Sequence, residues 1–188
     1  MPDSTIVERR RARVSKPEII HRAVTDWFVV NARDLPWRHP DCGPWGVLVS
    51  EFMLQQTPVV RVLDPWSRWM ERWPTPSALA MEPAAEAIRA WGRLGYPRRA
   101  LRLHTTAVVI DEQYGGQVPS DIAQLRALPG VGDYTAAAVA SFAFGQAHPV
   151  LDTNVRRVLA RAFSGVEFPG KSPTVAERRL AAQLVPAT

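Results

Sequence analysis

Apolar residues recur at three- and four-residue steps along most of the chain, and no stretch alternates apolar with polar at period two. The pattern predicts an all-α protein. From Pro17, the positions Ile19, Ile20, Ala23, Trp27 and Val30 make one stripe of a helix reaching about Ala32, with the proline in the first turn, where it is tolerated. Residues 33–40, RDLPWRHP, are a loop fixed by two prolines. Pro44 opens a helix over about 45–56, and Pro58 starts another that reaches about Trp73, with Val59, Val62, Leu63, Trp66 and Trp69 as its buried face. Pro65 falls inside that helix and predicts a kink or a restart. Short helices follow over 77–81 and 83–91, then a glycine-rich turn over 92–97. A helix over 98–114 is stopped by Gly115-Gly116. Asp121 is expected to cap a short helix, with Gln124 as its capping-box partner. The next helix, 133–145, is small or apolar nearly all round and should be central. Helices over 154–163 and from about Thr174 complete the pattern, joined by a loop that carries Gly165, Pro169, Gly170 and Pro173.

Composition narrows the partners. The 188 residues carry a formal net charge of +5, and the isoelectric point is about 10.1. The excess favours a polyanionic partner, nucleic acid first. The basic residues are nearly all arginine, since lysine occurs only at 16 and 171, and a GC-rich coding bias would give the same composition. The cluster Arg9, Arg10, Arg11 and Arg13 lies in a charged stretch over 1–15, expected to be a solvated disordered tail, with a secondary phosphate contact as the alternative. A single cysteine, Cys42, excludes an internal disulfide and a cysteine-rich metal site, and His21, His39, His104 and His148 have no metal-ligand spacing. The N-terminus lacks the apolar core of a signal peptide, and no apolar run approaches the ~20 residues of a membrane span. The chain is expected to be soluble and cytoplasmic, nucleoid-associated in a bacterium, with no membrane partner.

Three features carry candidate chemistry. The first is Leu128-Pro129-Gly130-Val131-Gly132 between two helical patterns, a helix–hairpin–helix over 121–145. Gly130 and Gly132 would let the backbone turn tightly and approach a phosphate, and the following helix would point free N–H groups at it. An ordinary helical hairpin is the plain alternative. The second is Asp152 at the start of a helix, where it serves as an N-cap, as a catalytic carboxylate, or as both. The third is Glu51, whose helical neighbours Val47, Leu48, Leu54 and Gln55 are mostly apolar; partial burial would raise its pKa and suit it to proton donation. Together the two carboxylates fit the division of labour in glycosidic cleavage, an acid for the leaving group and an anion beside the oxocarbenium ion. Two structural carboxylates are the competing account. Tyr134, in the first turn of its helix, is either near the bound backbone or a core or surface tyrosine.

Five motifs, LPWR at 35–38, SEFMLQQT at 50–57, RLGYPRRALRLH at 93–104, LPGVGDYTAAAVAS at 128–141 and VLDTNVRRVLAR at 150–161, together resemble the MutY-type adenine DNA glycosylases of the endonuclease III superfamily. The resemblance runs from about Asp34 to Gly170. It implies a helix–hairpin–helix glycosylase fold with an N-terminal helix and loop over 16–43, a six-helix-barrel lobe over 44–163 and the start of a C-terminal lobe over 164–188. It implies a monomer acting in base-excision repair on double-stranded DNA, flipping out adenine mispaired with 8-oxoguanine or guanine and hydrolysing its glycosidic bond. Glu51 then corresponds to the acid that protonates the adenine and manages the water, and Asp152 to the carboxylate beside the sugar cation. Tyr134 stands where lyase-competent relatives have a Schiff-base lysine, which implies monofunctional hydrolysis. Arg33, Trp37, Arg38 and Leu54 match the adenine-pocket wall. Gln55, Gln56 and Thr57 match the segment that enters the duplex, and Tyr96 with Leu128, Gly130, Val131, Gly132 and Thr135 completes the implied DNA contacts. Relatives that remove thymine or oxidised pyrimidines, and a DNA-binding module without turnover, are the alternatives.

The sequence departs from that family in three places. Tyr96-Pro97 stands where the family has two aromatics, one of them the usual wedge. The family carries a 4Fe-4S cluster on four cysteines, and this chain has only Cys42, outside that motif. The chain ends at an abrupt Val185-Pro186-Ala187-Thr188, before the cluster motif, the last helices of the pocket and the 8-oxoguanine-sensing domain, and so reads as a fragment, a truncated product or a reduced variant. The stripe on helix 17–32 would then be exposed or repacked, and an exposed stripe predicts poor solubility or partner capture.

Overall fold

A computed structural model describes residues 16–185; the basic stretch 1–15 and Pro186-Ala187-Thr188 lie outside the described residues. All regular structure among the described residues is helical, in agreement with the pattern. In order, the helices are α1 (Lys16–Asn31), α2 (Gly43–Leu54), α3 (Val59–Arg72), α4 (Pro76–Ala80), α5 (Ala84–Trp91), α6 (Arg98–Tyr114), α7 (Ile122–Ala127), α8 (Asp133–Phe144), α9 (Thr153–Leu159) and α10 (Val175–Leu184). Single 3-10 turns at Pro36–Arg38 and Gly92–Leu94 and a π turn at Ala160–Ser164 fill three of the joints.

The described residues fall into two compact units, divided between Arg33 and Asp34. In the first, Ile19, Trp27 and Val30 of the expected stripe on α1 are exposed, and so are Val24, Phe28 and Val29 outside it. The second unit is built around α2. Its residues from Trp45 to Met53 are all buried, as a helix apolar on every side must be. α8 packs against α2 through a small-residue face that includes Ala136 and Ala140, which lets the two backbones come close. α3 covers another side of α2, and α4 and α5 lie along α6. Trp69 sits edge-on to Trp73 and Trp91, with ring centres 4.6 and 5.7 Å apart. The Trp66 indole donates to the Gly46 carbonyl at 2.9 Å. Gly46 is compulsory here, because a Cβ would stand 2.5 Å from the Cys42 sulfur and 3.1 Å from the Trp66 ring.

Local detail departs from the expectations at α3 and α7 and refines them elsewhere. α3 runs through Pro65 without a restart, since Val62, Trp66 and Trp69 on either side are held in the core. The helix expected over 154–163 is present, with α9 passing at Leu159 into the π turn that reaches Ser164. Asp121 caps α7 by accepting from the Ala123 and Gln124 amides, both at 2.9 Å, with no reciprocal bond from the Gln124 side chain. The reciprocal capping box forms instead on α10, between Thr174 and Glu177. The division into units falls at 33/34, so that Leu35 and Trp37 belong to the core of the larger unit. The loop before α10 belongs there too, because buried Arg156 on α9 donates to the carbonyls of Gly170 and Ser172 and pairs with Glu177.

Candidate active site

Three elements of the larger unit bring three side chains together. Glu51 lies three residues before the end of α2 and is only 7% exposed. Burial pushes its carboxyl up from 4.5 to about 7, and an interaction with the Tyr134 hydroxyl offsets part of that rise. Tyr134 is in the first turn of α8, across from α2, and is 41% exposed. Its hydroxyl is raised above its ordinary value by burial first, then by the negative charge of Glu51 and of Asp152. Both carboxyls therefore act on one phenol. Asp152 caps α9: its Oδ1 accepts from the Val155 amide at 2.6 Å, and its Oδ2 accepts from the Asn154 side chain at 3.2 Å. The cap reading and the site reading are compatible, since capping orients the carboxyl and leaves it beside Tyr134. The result is a carboxylic acid half-protonated near neutral pH and a second carboxyl fixed at a helix N-terminus. Two carboxyls in such different surroundings are what separates an acid from an anion.

The hairpin has a division of its own. Leu128, Val131 and Thr135 are buried, so their side chains anchor the turn and only its main chain faces outward. Gly130 has φ of +79°, and a Cβ there would lie 3.1 Å from the Phe52 ring and from the Arg102 stem. The Thr106 hydroxyl fixes the turn further by donating to the Pro129 carbonyl at 2.5 Å. Gly132 differs: its φ is −97°, open to any residue, and nothing lies within 4 Å of its Cβ position. The fold demands glycine at 130 alone; at 132 glycine keeps the surface clear at the start of α8, where free N–H groups favour an anion. Gly130→Ala is accordingly expected to cost about 2–3 kcal/mol in urea denaturation from the left-handed φ alone. Gly132→Ala should stay within about 0.5 kcal/mol of the parent. Equal stability of the two variants would be incompatible with this assignment.

The remaining expected residues scatter more. Leu54 is half-buried at the last turn of α2. Trp37 is buried, edge-on to Trp66 at 5.7 Å, and Arg38 beside it is exposed. Arg33 is the last residue of the other unit and is exposed. Gln55 and Gln56 leave α2 with Gln56 at a φ of +55°, and Thr57 turns back into the core. Tyr96 is exposed and also left-handed, with φ of +46°.

One residue escaped the sequence reading. Arg99, buried at the start of α6, donates to the carbonyls of Phe52, Met53 and Gln55 at 3.1, 3.0 and 2.5 Å. It also donates to the Thr57 hydroxyl and to the carbonyls of Leu94 and Gly95, all within 3.1 Å. One guanidinium thus fastens the 55–57 segment to the 94–96 turn. The signal was available: Arg99 starts the α6 stripe that continues through Leu103, Thr106 and Ile110.

The chain's donor set does not suit an iron–sulfur cluster. A four-thiolate cluster needs four cysteines, whereas the sole thiol, Cys42, is pushed up to about 11 by burial and is packed over Gly46. Among the described residues no group of three or more His, Cys, Asp or Glu could hold a metal ion. No helix among them is long and apolar enough to cross a membrane.

Fold and site together define a helix–hairpin–helix protein with a paired-carboxyl centre. The chain belongs to the HhH-GPD superfamily of base excision DNA repair proteins, whose family model matches residues 49–183. It is 60% identical over 139 residues to the adenine DNA glycosylase of Mycobacterium tuberculosis, covering 74% of this chain and 46% of that protein. It is 44% identical over 147 residues to the human adenine DNA glycosylase, covering 74% and 27%. The thymine-DNA glycosylase of Aeropyrum pernix is 37% identical over 158 residues, covering 83% of this chain and 70% of that one. Among solved structures, a thermostable thymine-DNA glycosylase superposes with a TM-score of 0.80 at 29% identity, covering 90% of this chain and 78% of that one. A non-covalent endonuclease III–DNA complex gives 0.73 at 23%, covering 92% and 79%, which speaks to the fold alone. The chain thus spans about half the length of the mycobacterial relatives it matches.

Proposed function

We propose that this chain is the catalytic part of an adenine DNA glycosylase of base-excision repair, acting as a monomer on double-stranded DNA at adenine opposite 8-oxoguanine or guanine. The observation that carries the reading is the buried Glu51, poised near pH 7, sharing the Tyr134 phenol with Asp152. The adenine glycosylases it resembles supply the choice of base. Protonated Glu51 gives its proton to the adenine ring of a flipped nucleotide. The glycosidic C–N bond then breaks with its electron pair going to the base, and Asp152 stabilises the sugar cation. Water adds to the sugar carbon and returns a proton to the Glu51 carboxylate, which restores the acid. Trp37, Arg38 and Leu54 form the adenine wall in this reading, and Gln55, Gln56 and Tyr96 meet the opposite base, with Thr57 anchoring their segment in the core. Tyr134 cannot form a Schiff base as a lysine would, so the chemistry ends at an abasic site. A DNA-bound enzyme of this kind works in the cytoplasm, on the nucleoid in a bacterium.

The test is single-turnover release from a duplex with adenine opposite 8-oxoguanine. Asp152→Asn is expected to keep the α9 cap, because the amide oxygen still accepts from Val155, and to lose adenine release by about a hundredfold or more, the scale of losing one preorganised electrostatic contact. The rate should fall as pH rises through 7, because the working form of Glu51 is the protonated one. Thymine release from a G·T duplex is the second reading, favoured by the likeness to the Aeropyrum pernix enzyme. Salt-sensitive binding with no base released would leave a DNA-binding module and sink the enzymatic proposal.

A further inference from the structure

A second basic feature lies outside the carboxyl centre and the hairpin. A groove of about 430 Å³ runs between α3 and the Gly92–Leu94 turn, with Trp91 and Leu94 among its lining and Arg61, Arg68, Arg93 and Asp64 along it. The three arginines are exposed, and among the described residues none makes an ion pair, not even with Asp64 in the same groove. Neighbouring arginines are treated differently. Arg72, one turn beyond Arg68 on α3, pairs with Glu86 at 2.7 Å and with Glu82 at 3.6 Å, and Arg89 pairs with Glu86. Arg72 and Arg89 are therefore neutralised by carboxylates, whereas the groove keeps three unpaired arginines against the single carboxylate of Asp64.

The groove is also held in place. Arg61 donates to the Arg93 carbonyl at 2.5 Å, which ties α3 to the turn and leaves its other N–H groups unused. Leu94, part of the lining, has its carbonyl gripped by Arg99, the same guanidinium that holds Gln55 and Thr57. The turn that carries Arg93 and Leu94 is thus tied both to α3 and, through Arg99, to the 55–57 segment, in a chain of net charge +5.

We infer that this groove binds a phosphodiester of the duplex backbone through Arg61, Arg68 and Arg93, as a clamp separate from the hairpin. The inference rests on the DNA-binding part of the proposed function and not on its chemistry. Arginine forks suit phosphate oxygens, and each phosphate charge neutralised steepens the salt dependence of binding by about 0.9 in log K against log salt. The contact carries no base preference.

Equilibrium binding to an undamaged duplex, measured over a range of salt, tests this without turnover. The variant carries Arg68→Gln with Arg93→Gln; Arg61 is spared because it braces the turn. The variant is expected to flatten the slope by up to about 0.9, the share of the one phosphate that the groove neutralises, with an unchanged melting temperature. Arg68→Lys with Arg93→Lys should restore the slope, because charge is what the backbone reads. Arg179→Gln, an exposed α10 arginine with no ion pair among the described residues, should leave it as in the parent. An unchanged slope in the glutamine variant, with the parent binding normally, overturns the clamp and leaves the glycosylase reading intact. Failure of the parent to bind duplex at all overturns both. Inorganic phosphate at constant ionic strength should not erase the difference between parent and variant; if it does, the groove is a free-phosphate site and the clamp is overturned.

Discussion

Glu51→Gln is expected to abolish base release and to stabilise the fold. The two effects have one cause. Glu51 sits 7% exposed in the core, and its carboxyl is pushed up to about 7 by burial. Below about pH 4.5 the group is protonated in both folded and unfolded chains, so it sets no pH-dependent difference. Between 4.5 and 7 the unfolded chain releases the proton and the folded chain keeps it, so stability falls as pH rises; above 7 the loss is complete. A shift from 4.5 to about 7 corresponds to about 3 kcal/mol. Glutamine is nearly the same shape and has no proton to lose. Melting curves for parent and variant should therefore coincide near pH 4 and separate up to pH 7 or 8, with the variant higher. Single-turnover release should drop by about 10²–10⁴-fold, the usual worth of a positioned general acid. Melting temperatures that stay parallel across this range would show that Glu51 is not held in its neutral form.

Arg99→Met is expected to be the most destabilising single change in the larger unit, at about 3–5 kcal/mol by urea denaturation. Removing the guanidinium takes a donor from five backbone carbonyls and the Thr57 hydroxyl, of which Gly95 keeps the Trp91 indole at 2.9 Å and Gln55 keeps the Thr57 hydroxyl at 3.3 Å. Arg99→Lys should recover only part of the loss, because one ammonium cannot reach acceptors on both sides as a planar fork does. Any folded fraction of Arg99→Met should bind duplex more weakly than the parent, since the 55–57 segment loses its anchor. Arg99→Met at parental stability would mean that the six contacts contribute nothing net.

What the amino-acid sequence announced was mostly what local chemistry decides. Gly115-Gly116 stops α6 where expected, and Thr174 opens α10, because glycine and a capping hydroxyl act within one turn. Glu51 was legible as a carboxylate on an apolar face. Pro65 was misleading as a restart, since its local penalty is outweighed by the burial of Val62 before it and of Trp66 and Trp69 after it, a tertiary effect. The two glycines of the hairpin looked equivalent in sequence; only the backbone angles and neighbouring atoms separate them. Arg99 was hidden by its company in RRALRLH, where a run of arginines reads as a solvated surface. Convergence of Glu51, Tyr134 and Asp152 came from family resemblance rather than spacing, because three helices far apart in sequence supply them.

The Arg99 tether also has a bearing on how a duplex would be deformed. The 55–57 segment and the 94–96 turn share one buried cation, and each holds a residue in the left-handed region, Gln56 and Tyr96. Their conformational entropy was surrendered when the chain folded, so little ordering remains to oppose binding. Under the proposed function the two loops would meet DNA as a single stiff jaw. The distortion at a lesion would then fall on the nucleic acid, and a base pair already weakened by mismatch would yield to that jaw before a sound one does.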